Sequence, residues 1–264
     1  IEKEHIGGAC FKSYYPLRMA MASAVTGREL FEDASGLADA ISSRWLETIK
    51  SKNVIYKNGN GVLINNTEIL VGSEGREEVI KAGKIIIATG SVPIPSPSMP
   101  FDGETVLSPD DVISMRKIPE NILIVGGDRV GCELATLFNR LGSKAFLCDP
   151  RSHIINEHDP DIIAALEEEL KRQKIKLLLH RKPVSMFKEG GKVDITFDGE
   201  IKLSTDKIIL AGLRRSNTGT LHAAKLGLRL GERNEVLVNE KMESSVPGVY
   251  AVGSVTGSSP DSVL

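Results

Sequence analysis

The chain has 264 residues, 33 Lys and Arg against 35 Asp and Glu, a formal net charge of -2 and 41% hydrophobic content. That length holds one large domain or two ordinary ones with proper cores, and the near-balanced charge excludes a basic surface that would draw nucleic acid or a membrane by electrostatics alone. Three cysteines, Cys10, Cys132 and Cys148, suit neither a disulfide framework nor a zinc site, and no apolar run approaches the ~18 residues of a bilayer span, so a reducing, cytoplasmic setting without signal or anchor is expected.

In chain order, "IEKEHIGGAC" reads as the end of a buried strand at Ile1 and Glu2, a turn at Gly7 and Gly8, and a placed thiol at Cys10. From Gly27 to Lys52 the residues Leu30, Phe31, Leu37, Ala40, Ile41, Trp45, Leu46 and Ile49 recur at helical spacing, which predicts one long surface helix. "VIYKNGNGVLINNTEILVG" gives short strands broken by Asn and Gly, as hairpins require, and the apolar run from Ile85 to Ala88 stops at Thr89 and Gly90.

The middle of the chain carries the strongest pattern. "NILIVGG" is an apolar strand entering glycines, "VGCELATLFNRLG" a helix closed by Gly142, and "KAFLCD" a second strand ending in Asp149. Such a βαβ unit of about 30 residues is the mononucleotide-binding half of a doubly wound fold. In "GGDRVG", Gly126, position 128 and Gly131 fall where a G-x-G-x-x-G turn would, with Asp149 about 20 residues on, placed to accept hydrogen bonds from a ribose diol. Glycines there let the backbone approach a pyrophosphate at a helix N-terminus. The middle position is Asp128, whose charge would oppose the ligand's own unless the side chain turns outward or Arg129 offsets it. The acid at 149 argues for NAD over NADP, a preference that Arg151 moderates. A glycine turn that serves helix packing alone is the alternative reading. Further on come a helix in "PDIIAALEEELKRQKI", a Gly-Gly hairpin in "SMFKEGGKVDITF", the strand "KIIL", and an apolar strand from Val249 to Val252 that ends at Gly253. None of the five histidines has metal-ligand spacing, so no metal is expected.

Taken together, Glu2 with "GGAC", "IIATGSVPIP", "ILIVGGDRVGCELATLFNRLGSK", "GLRRSNT" and "SVPGVYAVGSVTG" resemble the pyridine nucleotide-disulfide oxidoreductase family, most of all its dihydrolipoamide dehydrogenase-like members. The resemblance implies an α/β fold of two Rossmann-like domains, an FAD-binding one over 1-115 and 240-264 interrupted by an NAD-binding one over 116-239. It implies a flavin-dependent oxidoreductase with FAD and NAD as cofactors, acting on a small-molecule or lipoyl-type substrate, with no nucleic-acid or membrane partner, and homodimeric in full-length members. Carried over by position, Glu2 would bind the FAD ribose, Gly7, Gly8 and Cys10 would line the flavin, and Arg18 takes the place of the family's lysine. Gly61 would lie near the adenine, and Thr89, Gly90, Gly253 and Ser254 would contact the flavin dinucleotide. Gly126, Gly127, Gly131 and Asp149 would hold NAD, with Glu133 approaching the nicotinamide; Cys10 and Glu133 are the catalytic candidates.

The departures from the family pattern are specific. Cys10 is followed by "FKSYYPLR", with tyrosines where the second redox cysteine belongs, which puts dithiol exchange in doubt. Ser254 stands where the family has an aspartate, and a neutral acceptor makes a weaker hydrogen bond there. The family's first strand with its own G-x-G-x-x-G loop would precede Ile1, and its interface domain would follow Leu264, so a further segment or partner chain is expected to complete the FAD part. Two alternatives remain open at this point: a non-catalytic scaffold or assembly subunit, and an NAD-binding module alone.

Overall fold

A computed structural model describes residues 1–3, 6–9, 17, 19, 29–73, 75–212 and 214–257. The chain forms two compact units, one from Ile1–Lys12, Ala38–Val92 and Arg214–Leu264, the other from Ser13–Leu37 and Pro93–Leu213. Strands and α-helices are numbered here in chain order.

The predicted long helix is α1, Glu29–Ser51, with Glu29 and Glu32 in its first turn and Lys50 in its last, charges that complement the helix dipole. Of its apolar residues Phe31 is buried, together with the small Ala34 and Ala38, while Trp45 is 45% exposed. The periodicity predicted the helix but only partly its covered face: Phe31 is buried, Ala40 and Trp45 are exposed, and the buried Ala34 and Ala38 were not among the periodic residues.

In the first unit, β1 (Asn60–Leu63), β2 (Glu68–Ser73) and β3 (Arg76–Lys81) form an antiparallel meander. Its first turn is set by Asn65, whose side-chain oxygen accepts from the backbone N–H and hydroxyl of Thr67 at 2.8 and 3.0 Å, the local mimicry that favours Asn in turns. The outer strand β3 reads Arg-Glu-Glu-Val-Ile-Lys, and charge along an edge discourages further pairing. β4 (Ile85–Ile87) pairs in parallel with β15 (Val249–Ala251), and β5 (Ser91–Pro93) lies beside β14 (Arg214–Ser216). Ile85, Ile87, Val249 and Ala251 pack with Leu63 and Val255 in one core. The run Ile85 to Ile87 is apolar throughout, yet Ile86 is 65% exposed because the described core lies on one face of the pair only.

The second unit is built on a five-stranded sheet of order β6-β13-β7-β8-β9, from β6 (Val106–Leu107), β7 (Asn121–Val125), β8 (Lys144–Asp149), β9 (Lys176–Leu179) and β13 (Lys207–Leu210). All four pairings are parallel. Central β7 has Ile122, Leu123 and Ile124 fully buried, as expected of a strand covered on both faces. Helices α2 (Arg129–Arg140) and α3 (Pro160–Arg172) are the crossovers, α2 packing on β7 and β8 and α3 on β9. The end of α2 is closed by Gly142 at φ 94°, with the Ser143 N–H donating to the Phe138 carbonyl at 2.9 Å, the arrangement that glycine makes accessible. On the other face, antiparallel β10 (Pro183–Glu189), β11 (Lys192–Phe197) and β12 (Lys202–Thr205) deliver Val193, Ile195 and Phe197 against Leu123, Phe146 and Ile208. The β10–β11 turn is the Gly-Gly pair, both at positive φ (59° and 79°), as a two-residue hairpin of this twist needs.

The loop into β6 is pinned by Asp102. Its carboxylate accepts from the N–H groups of Glu104, Thr105 and Val106 at 2.9, 2.7 and 2.8 Å and pairs with Lys188. Burial works to raise this carboxyl, but Lys188 and the three N–H groups outweigh it and hold the carboxyl well below the ordinary carboxylate range.

Replacing fully buried Ile124 by Ala should cost about 2–5 kcal/mol in urea unfolding, whereas Val79→Ala, at a half-exposed edge position, should change stability by less than about 0.5 kcal/mol. A depressed folded value makes the Asp102 contribution fully present above the unfolded carboxyl value of about 4. It is lost as pH falls through the lower folded value. Unfolding followed between pH 5 and pH 2 should therefore show a shallower loss of stability for Asp102→Asn than for the parent, and equal slopes would contradict the assignment.

Candidate functional site: the glycine turn and the carboxyl ends of the parallel strands

The last residue of β7, Val125, runs into Gly126 at φ 116° and then Gly127, with Asp128 as the extended N-cap of α2 (φ -77°, ψ 179°). A Cβ at 126 would lie 2.7 Å from the backbone nitrogen of Gly212, which follows β13, and a Cβ at 131 would overlap the carbonyl oxygen of Gly126. The turn is therefore squeezed between the loop after β13 and the first turn of α2, and only glycine permits both approaches. Because β7 lies between β8 and β13, this is the point where the strand order reverses, the crevice at which open α/β sheets take ligands. The first N–H groups of α2 have no partner within the helix, and its positive end faces that crevice.

Asp149 closes the turn from the end of β8. It is 2% exposed. Its Oδ2 accepts from the Gly127 N–H at 2.6 Å and from Arg151 Nη2 at 2.7 Å, and its Oδ1 accepts from the backbone N–H and Nε of Arg151, both at 2.8 Å. Burial pushes this carboxyl up, but the Arg151 guanidinium and the two N–H groups more than reverse that, leaving it below its ordinary value. Arg151 is raised in turn, chiefly by its bond to Asp149. Its Nη2 also donates to Asp128 Oδ1 at 2.7 Å. The charge at the middle glycine position is thus offset by Arg151. Arg129 pairs one turn along the helix with Glu133, at 3.3 Å.

Cys132 and Cys148 flank the same turn. Their Sγ atoms meet the carbonyls of Gly127 and Arg181 at 3.6 and 3.1 Å. Burial first, and then the neighbouring carboxylates Asp128 and Asp149 respectively, push both thiols up to about 12. Both sulfurs are thus protonated at neutral pH and inert as nucleophiles.

A second group forms at the carboxyl ends of β4 and β15. Thr89 donates from its hydroxyl to the Asn217 carbonyl at 2.7 Å, and the Asn217 N–H donates to the Gly90 carbonyl at 2.9 Å. Gly90 has φ 70°, and a Cβ there would stand 3.7 Å from the Ser254 hydroxyl. Ser216 Oγ donates to the Ser254 carbonyl at 3.2 Å, and Gly253 opens a short 3-10 turn that seats Val255 in the core. Thr89, Gly90, Gly253 and Ser254 are thereby brought together. The Glu2 backbone is bonded between the Lys57 carbonyl and the Gly59 N–H, with Gly61 of β1 packed on Ile1. Gly7 and Gly8 take φ values of 96° and 61°. Cys10 and Arg18 lie outside the described residues.

The residues fit a bound dinucleotide at the first group on one structural ground: Gly126, Gly127 and Gly131 leave the backbone without side chains at three positions where a helix N-terminus opens, with Asp128 bonded to Arg151. Sequence reasoning did not single out Gly212, Ser216 or Asn217. For Gly212 a signal existed, since "ILAG" at the end of β13 mirrors "IVGG" at the end of β7; Asn217 through its backbone and Ser216 through its hydroxyl make tertiary contacts that no spacing announces.

Comparison with known proteins shows the family and the fold. Residues 2–264 match the sequence model of the family described as pyridine nucleotide-disulphide oxidoreductase. A dihydrolipoyl dehydrogenase of Chlamydia trachomatis is 33% identical over 211 residues, 79% of this chain and 45% of the relative. That of Bacillus subtilis is 28% identical over 282 residues, 97% of this chain and 61% of the relative. The chain thus spans about half the length of the first of these relatives. Among solved structures, LpdA of Mycobacterium tuberculosis superposes with a TM-score of 0.91 at 22% identity, covering 98% of this chain and 61% of that one. The flavoprotein disulfide reductase RclA of Escherichia coli does so with 0.88 at 21%, covering 96% and 58%; at such identities the likeness shows the fold. By the match over 2–264, the chain belongs to the pyridine nucleotide-disulphide oxidoreductase family.

Proposed function

We propose that this chain is the cofactor-binding part of a flavin-dependent oxidoreductase of the dihydrolipoamide dehydrogenase type, working between NAD(H) and FAD. The observation that carries the reading is the Gly126–Gly131 turn at the β7/β13 reversal with Asp149 locked beneath it. In this reading Gly126, Gly127 and Gly131 admit the NAD pyrophosphate to the N-terminus of α2, Asp149 orders the ribose side of the turn, and Glu133 stands toward the nicotinamide. Thr89, Gly90, Gly253 and Ser254 hold the flavin dinucleotide at the ends of β4 and β15. The Ser254 hydroxyl beside Gly90 supplies the polar contact there. Glu2, Gly7, Gly8, Gly61, Cys10 and Arg18 complete the flavin side by their positions in the family pattern. The FAD-binding part is 1-115 with 240-264 and the NAD-binding part 116-239; an inserted arrangement is supported by the compact unit Pro93–Leu213, which lies in sequence between Ala38–Val92 and Arg214–Leu264 of the other, although that unit also takes in Ser13–Leu37 and its bounds differ from this partition.

Bound flavin and nicotinamide supply the hydride chemistry, and the chain contributes binding, orientation and exclusion of water. With Cys132 and Cys148 buried and protonated, Cys10 has no second thiol of this chain to exchange with. Electron delivery to a small-molecule acceptor is therefore favoured, a lipoyl-type disulfide included if the acceptor brings both sulfurs. A cytoplasmic homodimer, completed by a further segment or partner chain, belongs to the same proposal.

The protein should purify yellow, with flavin absorption bands that bleach on anaerobic addition of NADH. A colourless protein that binds neither flavin nor dinucleotide would sink the reading. Gly131→Ala forces the Gly126 carbonyl aside and should cost about 2 kcal/mol or more in unfolding and weaken NADH binding at least about tenfold. Gly212→Ala, whose Cβ meets nothing nearer than 4.0 Å, should change stability by less than about 0.5 kcal/mol.

A further inference from the structure

The carboxylate that the nucleotide reading assigns to the adenosine ribose is already fully bonded. A carboxylate offers about four acceptor sites, and all four on Asp149 are taken by the chain's own donors, three of them on Arg151. A ribose diol reaching this position meets the guanidinium first. The same Nη2 that caps Asp149 spends its second hydrogen on Asp128, a residue whose side chain is 53% exposed and makes no capping bond to α2. Two carboxylates therefore hold one guanidinium, and the cluster carries a net charge of -1. Neither half is free for a ligand: the acid lacks an open lone pair, and the arginine's charge is more than neutralised.

We propose that Asp128 is a positioning residue that sets dinucleotide choice by latching Arg151 down over Asp149. The proposal rests on the nucleotide reading above and deepens it. In the latched state NADH must displace Arg151 to reach Asp149. NADPH brings a 2′-phosphate that is drawn to Arg151 and repelled by both Asp128 and Asp149. Removing the Asp128 charge releases the arginine's outer edge, which then matches a phosphate in planar, bidentate fashion. The chain is in this view one charge away from accepting the phosphorylated dinucleotide.

Asp128→Asn tests this cleanly because Asn is as good an N-cap as Asp and nearly the same size, so α2 should be undisturbed. Kd values for NADH and NADPH are measured by calorimetry at one fixed ionic strength on the parent, Asp128→Asn, Asp128→Glu and the double variant Asp128→Asn/Arg151→Ala. Loss of the charge eases both dinucleotides, and the expected result is an NADPH affinity in Asp128→Asn raised at least about tenfold more than that for NADH. The gain should vanish in the double variant, and Asp128→Glu, which keeps the charge, should stay near the parent. An unchanged NADPH-to-NADH ratio in Asp128→Asn, with NADH still bound, overturns the latch and leaves the nucleotide reading standing. If no variant binds either dinucleotide, the nucleotide reading falls and this proposal with it.

Discussion

The buried Asp149 carboxylate is the interaction on which the site depends. It sits at the end of β8 and reaches back to the N–H of Gly127 in the turn between β7 and α2, so it ties the carboxyl ends of adjacent parallel strands together at the crevice. An acid so deep in the protein is tolerable only when its lone pairs are satisfied, and here the turn and Arg151 satisfy them. Removing Arg151 would leave a buried charge half-bonded, a change that typically costs about 3–5 kcal/mol. The glycines follow from the same constraint. A side chain at 127 would stand 3.1 Å from Asp149 Oδ2, so the amide could not approach the carboxylate as closely as it does.

Much of this unit was legible in the sequence because its signals are local. The run from Asn121 to Val125, the turn glycines, the stop at Gly142 and the acid at 149 each depend on neighbours a few residues away, and β7, α2 and β8 fall where those signals put them. The Gly-Gly hairpin was legible for the same reason. What spacing could not state was coverage and partnership. Ile86 sits in an unbroken apolar run yet faces outward, because whether both faces of a strand are covered is decided by elements distant in the chain. Trp45 on α1 makes the same point for a helix.

The site itself was half legible. Spacing placed Asp149 about 20 residues after the glycine turn to meet a ribose diol; in the structure its carboxylate accepts from the Gly127 N–H and from Arg151. It also offered Arg129 as the counter-charge to Asp128, on the ground of adjacency. Neighbours in sequence at a helix start project away from each other, whereas residues four apart share a face, so Arg129 turns to Glu133 and the partner of Asp128 comes from 23 positions on, beyond the next strand. Charge pairing of that kind is a tertiary fact. No local rule distinguishes Arg151 from any other arginine after a strand.

The departures from the family pattern do not have equal physical weight. Ser254 keeps a hydroxyl beside Gly90, so that position loses charge but retains a hydrogen-bonding group. Asp128 adds a charge in the worst place for a pyrophosphate, yet that charge is bonded to Arg151, which leaves the N-terminus of α2 less opposed than the sequence suggests. The thiols admit no such compensation. Cys132 and Cys148 are held protonated by burial and by the same carboxylates that flank the glycine turn, so the electrostatics that order this turn also withhold those sulfurs from redox exchange. In the proposed oxidoreductase, one cluster of charges both serves nucleotide binding and keeps Cys132 and Cys148 out of thiol chemistry.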